Sequence, residues 1–407
     1  MSRLILTDAN LLDGLSPPVP GQTVVVEGDR IAAVGPHLPQ PDDRVVPLGG
    51  RTVMPGMAMC HFHSTYRNVG SGPYGNEYPP SYQALIAHKN LLAALEHGYT
   101  TVVGAGAARD VEPGIKQAID EGYVTGPRFW PSGRELSTTG HSNEMSAPWH
   151  WGLPTLGAAR VCDGPEQFRF AVRDEVKRGV EVIKLFVTGG HGVLGSKDDM
   201  VMTRDELAAA IDTAHSRGVL VRGHLAGKEP IMTAIELGID IVDHCDDMDD
   251  DVIAALVETG TYAVPSLQYP KAFAGLIEAF SPGGSAGIQE SLHFMYEALP
   301  KADAAGVRLL LGDDYGGPGL DHGDYGGALH IYVEEAGISP LSVIRWATHH
   351  GAQLVGLGDQ LGTVEPGKIA DLLVIDGNPA QDISALADNP PVAVLKSGHV
   401  VAGALPA

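Results

Sequence analysis

The chain has 407 residues, 44% of them hydrophobic and 19% charged, which is typical of a folded globular protein and excludes a disordered or fibrous one. This length fits two or three domains, or one α/β barrel with an appendage. Acidic residues outnumber basic residues by 50 to 27, for a formal net charge of -23, which argues against a nucleic-acid or anionic-membrane partner because phosphate binding requires an excess of Lys and Arg.

Both ends of the chain have the pattern of β-strands. Residues 1–55 contain the short alternating runs LILTDANLL, QTVVVEGDRIAAVG and DRVVPLGGRTVMPG, separated by Gly, Asp and Pro. The C-terminal residues 357–407 contain similar runs, ADLLVIDG and VAVLKSGHVVAG. The two ends therefore predict one small β-sandwich domain built from both termini.

Residues 56–356 show a different rhythm, in which an amphipathic helix ends at a glycine and a short apolar run follows. The seven glycines at these joints are Gly98, Gly122, Gly179, Gly218, Gly238, Gly260 and Gly306. A glycine just past a helix end supplies the left-handed cap, and short non-alternating apolar runs suit strands buried on both faces of a parallel sheet. Thr203 and Glu206 predict a capping box at the start of one of these helices, and Ser339-Pro340 predict the start of the helix that runs on toward Leu354.

These seven joints, together with the strand around MPGMAMCHFH, predict eight βα units in about 300 residues. That count is typical of a closed (β/α)8 TIM barrel. An open doubly wound sheet is the alternative, but it would place a Gly-rich nucleotide-binding turn after the first strand, and the sequence has none there. The predicted fold class is therefore α/β, a (β/α)8 barrel over residues 56–356.

Polar residues capable of binding metal follow several of these predicted strands. They are His61, His63, Lys184, His224, His244 and the pair Asp313-Asp314. Functional residues of such barrels lie at the carboxyl ends of the strands, and residues i and i+2 of a strand point to the same side. Each residue alone has an ordinary interpretation, a half-buried strand histidine or a surface lysine. Their repetition at successive strand ends predicts a shared metal site.

At this point the sequence resembles the amidohydrolase superfamily over essentially the whole chain. The resemblance rests on the HFH motif after the first predicted strand, on KLFVTGG, on VRGHLAG and IVDH, and on the C-terminal LGTVEPGKIADLLVIDGNP. The stretch from KLFVTGG to IVDH is similar to the prolidase-like and imidazolonepropionase-like branch. The resemblance implies a hydrolase with two divalent metal ions.

The resemblance also implies a ligand set. His61, His63 and Asp314 would hold one ion, and His224 and His244 the other. Lys184 would bridge them as a carbamate formed with CO2, because an ammonium would repel two cations and burial exposes the neutral amine. Zinc is the first choice of metal, with Mn, Co or Fe as alternatives for such a donor set.

A hydrolytic mechanism follows from this resemblance. A hydroxide bridging the two metals would attack the carbonyl of an amide, peptide or carbamate-like bond of a small molecule. Asp314 would act as general acid and base, taking the proton and delivering it to the leaving nitrogen. The family usually has Gly-Thr-Asp where this chain has Gly312-Asp313-Asp314, so the ligand aligns with Asp314, and Asp313 is expected either to support the metal ligands from behind or to hold a neighbouring loop.

Several other residues are candidates for contact with the substrate. His141, in STTGHSNE, would polarise the carbonyl or lie in a solvated loop; many relatives have a Tyr for this purpose where this chain has Ala226. Tyr66 and Arg67 follow the HFH motif and would reach the substrate or pack in their loop. Tyr315, His322 and Tyr325 lie in a long Gly-rich segment, which predicts a lid closing over the site or a surface connector.

The alternatives are a cyclic-amide hydrolase of the imidazolonepropionase kind, a deaminase, and an inactive barrel kept for binding or assembly. The bridging lysine argues against deamination, and the complete ligand set argues against an inactive scaffold. Three cysteines cannot form a disulfide framework, and the sequence has neither a predicted signal peptide nor a predicted membrane span. We therefore expect a cytoplasmic homo-oligomer that acts on a small molecule and binds neither nucleic acid nor membrane.

Overall fold

The computed structural model describes residues 3–67, 78–141, 157–193 and 195–406. The chain begins with five strands, β1 (Leu4–Leu11), β2 (Val19–Glu27), β3 (Arg30–Val34), β4 (Arg44–Pro47) and β5 (Thr52–Pro55). Strands and helices then alternate as β6 (Met57–Met59), α1 (Pro80–Glu96), β7 (Tyr99–Val103), α2 (Val111–Asp120), β8 (Arg128–Trp130), β9 (Ser132–Ser137), β10 (Ala159–Val161), α3 (Pro165–Lys177), β11 (Val182–Phe186), α4 (Arg204–His215), β12 (Leu220–Leu225), α5 (Lys228–Glu236), β13 (Ile241–His244), α6 (Asp250–Thr259), β14 (Tyr262–Val264), α7 (Gln268–Phe280), α8 (Ala286–Ala305) and β15 (Arg308–Leu309).

The remaining elements complete the C-terminal part. They are α9 (Gly326–His330), α10 (Pro340–Arg345), α11 (Gly351–Leu354), β16 (Leu372–Ile375), α12 (Ser384–Ala387), β17 (Ala393–Lys396) and β18 (His399–Gly403), with π-helical turns at Ile331–Glu335 and Trp346–His350. The helix predicted to open at Ser339 therefore runs on to Leu354 through a π-helical turn.

Two parallel sheets occupy the middle of the chain. Seven strands pair in the order β10-β9-β11-β12-β13-β14-β15, and β6, β7 and β8 form a second sheet. Every residue of β11 is buried, as expected for a strand covered on both faces. Pro131, which lacks a backbone N–H, separates β8 from β9 and so lies where one sheet passes into the other. The α/β class predicted from the alternating pattern is confirmed.

The first and last strands of this middle region are also joined by backbone hydrogen bonds. The amide of Cys60 donates to the carbonyl of Leu311 at 2.7 Å, and the amide of Asp313 donates to the carbonyl of His61 at 3.2 Å. These bonds bring the segment after β6 beside the segment after β15. Closure of both sheets into one eight-stranded barrel stays a prediction.

The two termini contribute to one sheet of eight strands. Its order is β18-β17-β16-β5-β1-β2-β3, with β4 beside β1. The antiparallel pairing of β5 with β16 sets Val53 opposite Val374 and so joins the two ends of the sequence. A separate apolar cluster packs on this sheet and includes Leu6, Val24 and Leu372. The β-sandwich and its boundaries at 1–55 and 357–407 stay predictions.

Local signals in the sequence explain several element boundaries. Thr203 caps α4, and the reciprocal bonds of the predicted capping box with Glu206 are present. Gly260 ends α6 in the left-handed conformation, at φ 71°, which costs glycine little because it has no Cβ. One joint differs from the prediction, since the strand expected directly after Gly122 begins at Arg128, just past Pro127. Within the described residues, no helix has both the length and the apolar composition to cross a membrane.

Candidate metal centre

The carboxyl ends of several parallel strands place the predicted metal ligands close together. His61 and His63 follow β6, His224 lies in β12, and His244 is the last residue of β13. Asp314 follows β15 in the chain. Backbone dihedrals of His244 lie in the left-handed region, at φ 73°, where a residue with a side chain is strained. Such strain is concentrated at functional sites.

Three ligand atoms converge at the centre of this cluster. Asp314 Oδ1 lies 2.7 Å from His61 Nε2 and 3.1 Å from His63 Nε2. The two Nε2 atoms are 3.3 Å apart. On the other side of its ring, His63 Nδ1 donates to the carbonyl of Gly106 at 2.8 Å. That bond leaves the lone pair of His63 on Nε2, facing Asp314 and His61, as a metal ligand requires.

His244 and His224 complete the histidine cluster. The ring of His244 lies 5.2 Å from that of His61 and 4.4 Å from that of His224, between centroids. Ligand atoms of His61, His244 and Asp314 all lie within 4.8 Å of one another, a spacing that one ion could bridge. His224 stacks on Phe186, and its Nε2 lies 3.2 Å from the carbonyl oxygen of Gly190. His224 therefore contacts the other candidate ligands through the ring of His244, while its own Nε2 faces a backbone carbonyl.

Lys184 is buried, with 1% of its surface exposed. Its Nζ donates to Asp243 Oδ2 at 2.6 Å, and the ammonium lies 5.3 Å from the centre of the Phe186 ring. The structure thus brings Lys184 to the floor of the cluster and pairs it with a carboxylate that sequence reasoning missed. Its carbamylation stays a prediction.

Asp243 and Arg222 form a fully buried ion pair beneath the candidate ligands. Arg222 Nε donates to Asp243 Oδ2 at 3.0 Å, and its Nη1 donates to the carbonyls of Cys60 and Gly104 at 2.8 and 2.9 Å. Asp243 Oδ1 lies 3.2 Å from His61 Nδ1. A buried carboxylate with these partners can orient the His61 ring so that Nε2 faces the cluster.

Arg222 could have been found from strand alternation, but its partner Asp243 could not. Arg222 is two residues before His224 on β12, so both side chains lie on the same side of the strand. A charged residue within a short apolar strand is unusual unless it is paired. Its partner required the register of the sheet, in which Arg222 lies opposite Ile241 and His224 opposite Asp243.

Burial and neighbouring charges set the protonation of the cluster. Burial lowers the pKa of His61, and it lowers those of His224 and His244 well below the usual range, assisted by Lys184 beside His224 and by His191 beside His244. Burial alone would raise the pKa of Asp314, but His61 and His244 hold it well below its usual range. Neutral imidazoles facing an ionised carboxylate are the protonation states that bind a divalent cation.

Asp313 points away from the cluster and anchors α7. Its Oδ2 accepts from the amide of Gln268 at 2.7 Å, and its Oδ1 accepts from the amides of Tyr269 and Asp314 at 3.0 and 2.9 Å. Burial and the adjacent carboxylate of Asp314 raise the pKa of Asp313 to about 7. The expectation that Asp313 holds a neighbouring segment agrees with these bonds.

His191 is a further neighbour of the cluster that the sequence motifs did not select. Its ring stacks on His244 at 3.9 Å between centroids, with 20° between the planes. Nδ1 lies 2.7 Å from Asp246 Oδ1, and Nε2 lies 3.0 Å from the carbonyl oxygen of Ser266. Burial opposes a charge here, but Asp246 raises the pKa of His191 to about 9.

His141 is a buried histidine that makes no side-chain hydrogen bond to any described residue. It is 6% exposed, and neither ring nitrogen has a hydrogen-bond partner among the described residues. Burial lowers its pKa, so the neutral ring is favoured. An unsatisfied buried polar group is costly, which is compatible with a ligand completing its hydrogen bonds.

Tyr66 and Arg67 lie in the loop after the HFH motif. Tyr66 stacks on His63 at 4.2 Å, and its hydroxyl donates to Glu135, a fully buried carboxylate that was not predicted. Arg67 bonds the hydroxyl of Tyr82 at 3.1 Å on the surface. Tyr66 thus contacts a candidate ligand, while Arg67 lies farther out.

Two of the three residues of the predicted lid, Tyr315 and Tyr325, are packed into the interior, and His322 is half-buried. Tyr315 and Tyr325 are each 1% exposed and meet edge to face at 4.8 Å. The Tyr315 hydroxyl donates to Gln268 Oε1 at 3.1 Å, and His322 Nε2 lies 3.1 Å from the carbonyl oxygen of His63. Burial lowers the pKa of His322 to about 3. Direct contact with a substrate would require these groups to leave their present partners, and the lid stays a prediction.

The donor set fits divalent metal ions. It combines imidazole nitrogens with a carboxylate, whose affinities suit zinc and other transition metals. The second nitrogens of His61 and His63 are held from outside by Asp243 and Gly106, which fixes Nε2 of both rings toward Asp314. His244 Nδ1 is buried without a hydrogen-bond partner among the described residues. A metal ligand role would satisfy each of these atoms.

Comparisons with known proteins agree with this geometry. Residues 52–401 match the model of the Amidohydrolase family. Ochratoxinase of Aspergillus niger is 28% identical, over 97% of this chain and 85% of that protein. A solved prolidase complexed with N-methylphosphonate-L-proline superimposes with a TM-score of 0.88 at 30% identity, covering 98% of this chain and 99% of that one.

A solved Xaa-Pro dipeptidase with methionine in its active site gives a TM-score of 0.87 at 27% identity, covering 99% and 100% of the two chains. The resemblance inferred from the sequence motifs is thereby confirmed. With a family match over most of its length and likenesses that span both chains, this protein belongs to the amidohydrolase family.

Proposed function

We propose that this protein is a metal-dependent hydrolase that cleaves a C–N bond, of the amide, peptide or carbamate-like kind, in a small molecule. The observation that carries the proposal is the convergence of His61 Nε2, His63 Nε2 and Asp314 Oδ1 within 3.3 Å of one another. Family membership supports the hydrolytic class. The names of the relatives, a dipeptidase and a prolidase among them, support an amide-type bond.

His61, His63 and Asp314 would hold one divalent ion, and His224 and His244 a second. Ions bound there would supply Lewis-acid activation of water and of the scissile carbonyl. The protein's part is to keep the imidazoles neutral and the carboxylate ionised, and burial with mutual charge interaction does both. Zinc remains our first choice of metal, with Mn, Co or Fe as alternatives.

Asp314 is our candidate for general base and general acid. Its low pKa means that it is ionised and able to accept the proton of the attacking water. The same proton would then pass to the nitrogen of the leaving amine as the C–N bond breaks. Asp314 Oδ1 lies 2.7 Å from His61 Nε2 and 3.1 Å from His63 Nε2, so all three groups would share one ion.

His141 is our candidate for polarising the scissile carbonyl. Its ring nitrogens have no partner among the described residues, so an N–H is free to donate to a carbonyl oxygen. Ala226, at the position after β12 where relatives resembling this sequence have a tyrosine, offers no hydroxyl for that purpose. We therefore expect His141 to contribute to kcat.

Lys184 would bridge the two ions as a carbamate, and this step requires its Nζ to leave Asp243. The charge of Asp243 would stay paired without Lys184, because Arg222 already donates to both of its oxygens.

The proposed architecture is a (β/α)8 barrel with a terminal β-sandwich. It is supported by the backbone bonds that join the strand before His61 to the strand before Asp313.

A product assay tests the proposal. Metal-loaded protein is incubated with separate panels of N-acyl amino acids, dipeptides, anilides and carbamates, and both fragments are quantified by mass spectrometry. We expect at least one panel to yield the amine in equal amount with the matching acid or, for a carbamate, with the alcohol and CO2. Amino-substituted heterocycles and cyclic amides are run in parallel: ammonia released from an intact ring would indicate deamination instead, and ring opening without fragment release would indicate a cyclic-amide hydrolase. Turnover of none of these classes would contradict the proposal.

A further inference from the structure

A cavity of about 390 Å³ lies beside the candidate metal centre. One wall comes from the loop after β11, including Gly190, Gly192 and Gly195, and the opposite wall comes from α7 and α8. The cavity also contacts Asp246, just past β13, and Leu267, just past β14. It therefore opens among the carboxyl ends of the strands, where ligands of parallel α/β sheets bind.

The helix wall of the cavity is mainly apolar, with Ser291 as a polar exception. Its apolar side chains include Phe273, Ile277, Ile288, Leu292 and Met295, and Leu267 lies just before α7. Only one helix is needed to return the chain from β14 to β15, yet two are present, and α7 is the additional one. The volume is within the usual range for sites that take small molecules.

Polar side chains on the opposite wall are engaged with one another. His191 uses Nδ1 on Asp246 at 2.7 Å and Nε2 on the Ser266 carbonyl at 3.0 Å. Lys197 Nζ donates to Asp247 at 2.7 Å. These contacts leave the cavity facing mainly ring and aliphatic surface. A group that needs no hydrogen bonds would therefore gain most from entering it.

Two contacts tie the cavity to the candidate centre. The His191 ring lines the cavity and stacks on His244 at 3.9 Å, so a single imidazole separates the two spaces. On the other side, α7 begins on the carboxylate of Asp313, the residue immediately before Asp314. The cavity wall and the proposed general base are thus fixed to the same point of the chain.

We infer that this cavity receives an aromatic or branched aliphatic group of the substrate, carried close to the scissile C–N bond. The inference rests on the proposed function and adds the substrate class, namely amides with one bulky apolar substituent. Transfer of such a group from water to an apolar cavity provides binding free energy that a methyl group cannot provide. Substrates with the bulky group should accordingly have the higher kcat/KM.

The test fills the cavity and compares matched substrates. Ile288→Trp places an indole in the cavity from α8, and Phe294→Trp is the control, because Phe294 lies on the same helix but does not line the cavity. Metal-loaded variants are assayed with amides that carry either a benzyl or a methyl substituent on the acyl side, and with a second pair that varies the amine side. Circular dichroism and metal content establish that each variant is folded and loaded.

We expect Ile288→Trp to lower kcat/KM for one benzyl substrate by about 10- to 100-fold, with little change for its methyl partner. Phe294→Trp should behave as wild type. Equal effects of Ile288→Trp on benzyl and methyl substrates, or no effect on either, would overturn the inference. If Ile288→Trp does not fold, Ser291→Phe, which enters the cavity one helical turn further on, replaces it.

Binding distinguishes failure of this inference from failure of the proposed function. Calorimetry with benzyl and methyl phosphonamidates, which are not cleaved, measures the preference for the bulky group whether or not any amide is hydrolysed. Tighter binding of the benzyl compound, lost in Ile288→Trp and kept in Phe294→Trp, supports the cavity even if no amide is turned over. Equal affinity for the two compounds in the wild-type protein overturns it.

Discussion

At the scale of single residues, the ion pair between Asp243 and Arg222 organises the floor of the candidate site. Arg222 donates to Asp243 and to the backbone carbonyls of Cys60 and Gly104, so its guanidinium links β12 to the segments after β6 and β7. Lys184 and His61 are further neighbours of Asp243. A buried charge is tolerable only when it is paired in this way.

Asp243→Asn should therefore weaken both the fold and the metal site. The amide keeps the shape of the carboxylate but leaves Arg222 and Lys184 without a counter-charge, at a cost of about 3–5 kcal/mol in the free energy of unfolding. Because His61 loses its orienting partner, metal affinity should also fall by about 10- to 100-fold. Urea denaturation and competition with a chromophoric chelator measure the two effects.

Asp371→Asn is the matched control for this variant. Asp371 is also buried and accepts two bonds from Arg128, but it lies beside the terminal sheet. It should lose stability while its metal affinity stays at the wild-type value. If Asp243→Asn also bound metal as tightly as wild type, the orienting role of Asp243 would be wrong.

Lys184→Ala tests the proposed bridge. Removing the amine leaves Asp243 paired with Arg222, so we expect the variant to fold. The metal content, measured by mass spectrometry after gel filtration, should fall from about two ions to about one per chain, as for a two-metal site that loses its bridge. Small carboxylates such as acetate should restore part of the activity. Two tightly bound ions in this variant would rule out the bridge.

The residues that sequence reasoning chose share one property, their position at the end of an apolar strand. His61, His63, His244 and Asp314 do meet in space, because strand ends of parallel sheets are neighbours. The pairing of Lys184 with Asp243 depends on strand register, and the stacking of His191 on His244 depends on the path of a loop. Neither register nor loop path is encoded in a short local pattern, so both were missed.

At the scale of elements, the boundaries that follow from backbone chemistry were the easiest to predict. The capping box at Thr203 and the helix start at Ser339 are present, since both depend on bonds within four residues. The additional helix α7 was not predicted, because its start is stabilised by Asp313, which is more than forty residues away in the sequence. The packing of Tyr315 and Tyr325 likewise depends on partners distant along the chain.

Contacts between elements also give a prediction of pH dependence. His330, at the end of α9, lies between Asp388 and Glu334, with ring nitrogens 2.7 and 2.8 Å from their carboxylates. These hydrogen bonds, that of Asp388 first, raise the pKa of His330 above 6.5. Its contribution to stability is therefore complete below pH 6.5 and is lost as the pH rises through the higher pKa of the folded state.

His330→Asn should remove this part of the pH dependence. Between pH 6 and pH 9, roughly the range in which a histidine of raised pKa titrates, the wild type should lose up to about 1 kcal/mol of unfolding free energy that the variant does not lose. Urea denaturation at several pH values measures the difference. Parallel curves for the two proteins would show that His330 contributes nothing to the docking of α9 on the segment after α12.

At the scale of the whole molecule, the terminal sheet is continuous with the strand that leads into the candidate site. β5 pairs with β16, and the amide of Gly56, directly before β6, donates to the carbonyl of Asp371 at 2.9 Å. The role of both termini in one sheet was predicted from their alternating pattern. The strand order required the structure, because many orders satisfy the same alternation.

The central claim is that the cluster around Asp314 binds metal and that this metal is needed for hydrolysis. The most direct measurement is the initial rate of amide hydrolysis as zinc is returned to chelator-stripped protein, for wild type and for Asp314→Asn in parallel. We predict that the wild-type rate rises from the background value and saturates as the sites fill, while the variant stays at least about 100-fold lower at every zinc concentration. A stripped protein that hydrolyses the amide at the full rate, or an Asp314→Asn variant as active as wild type, would contradict the claim.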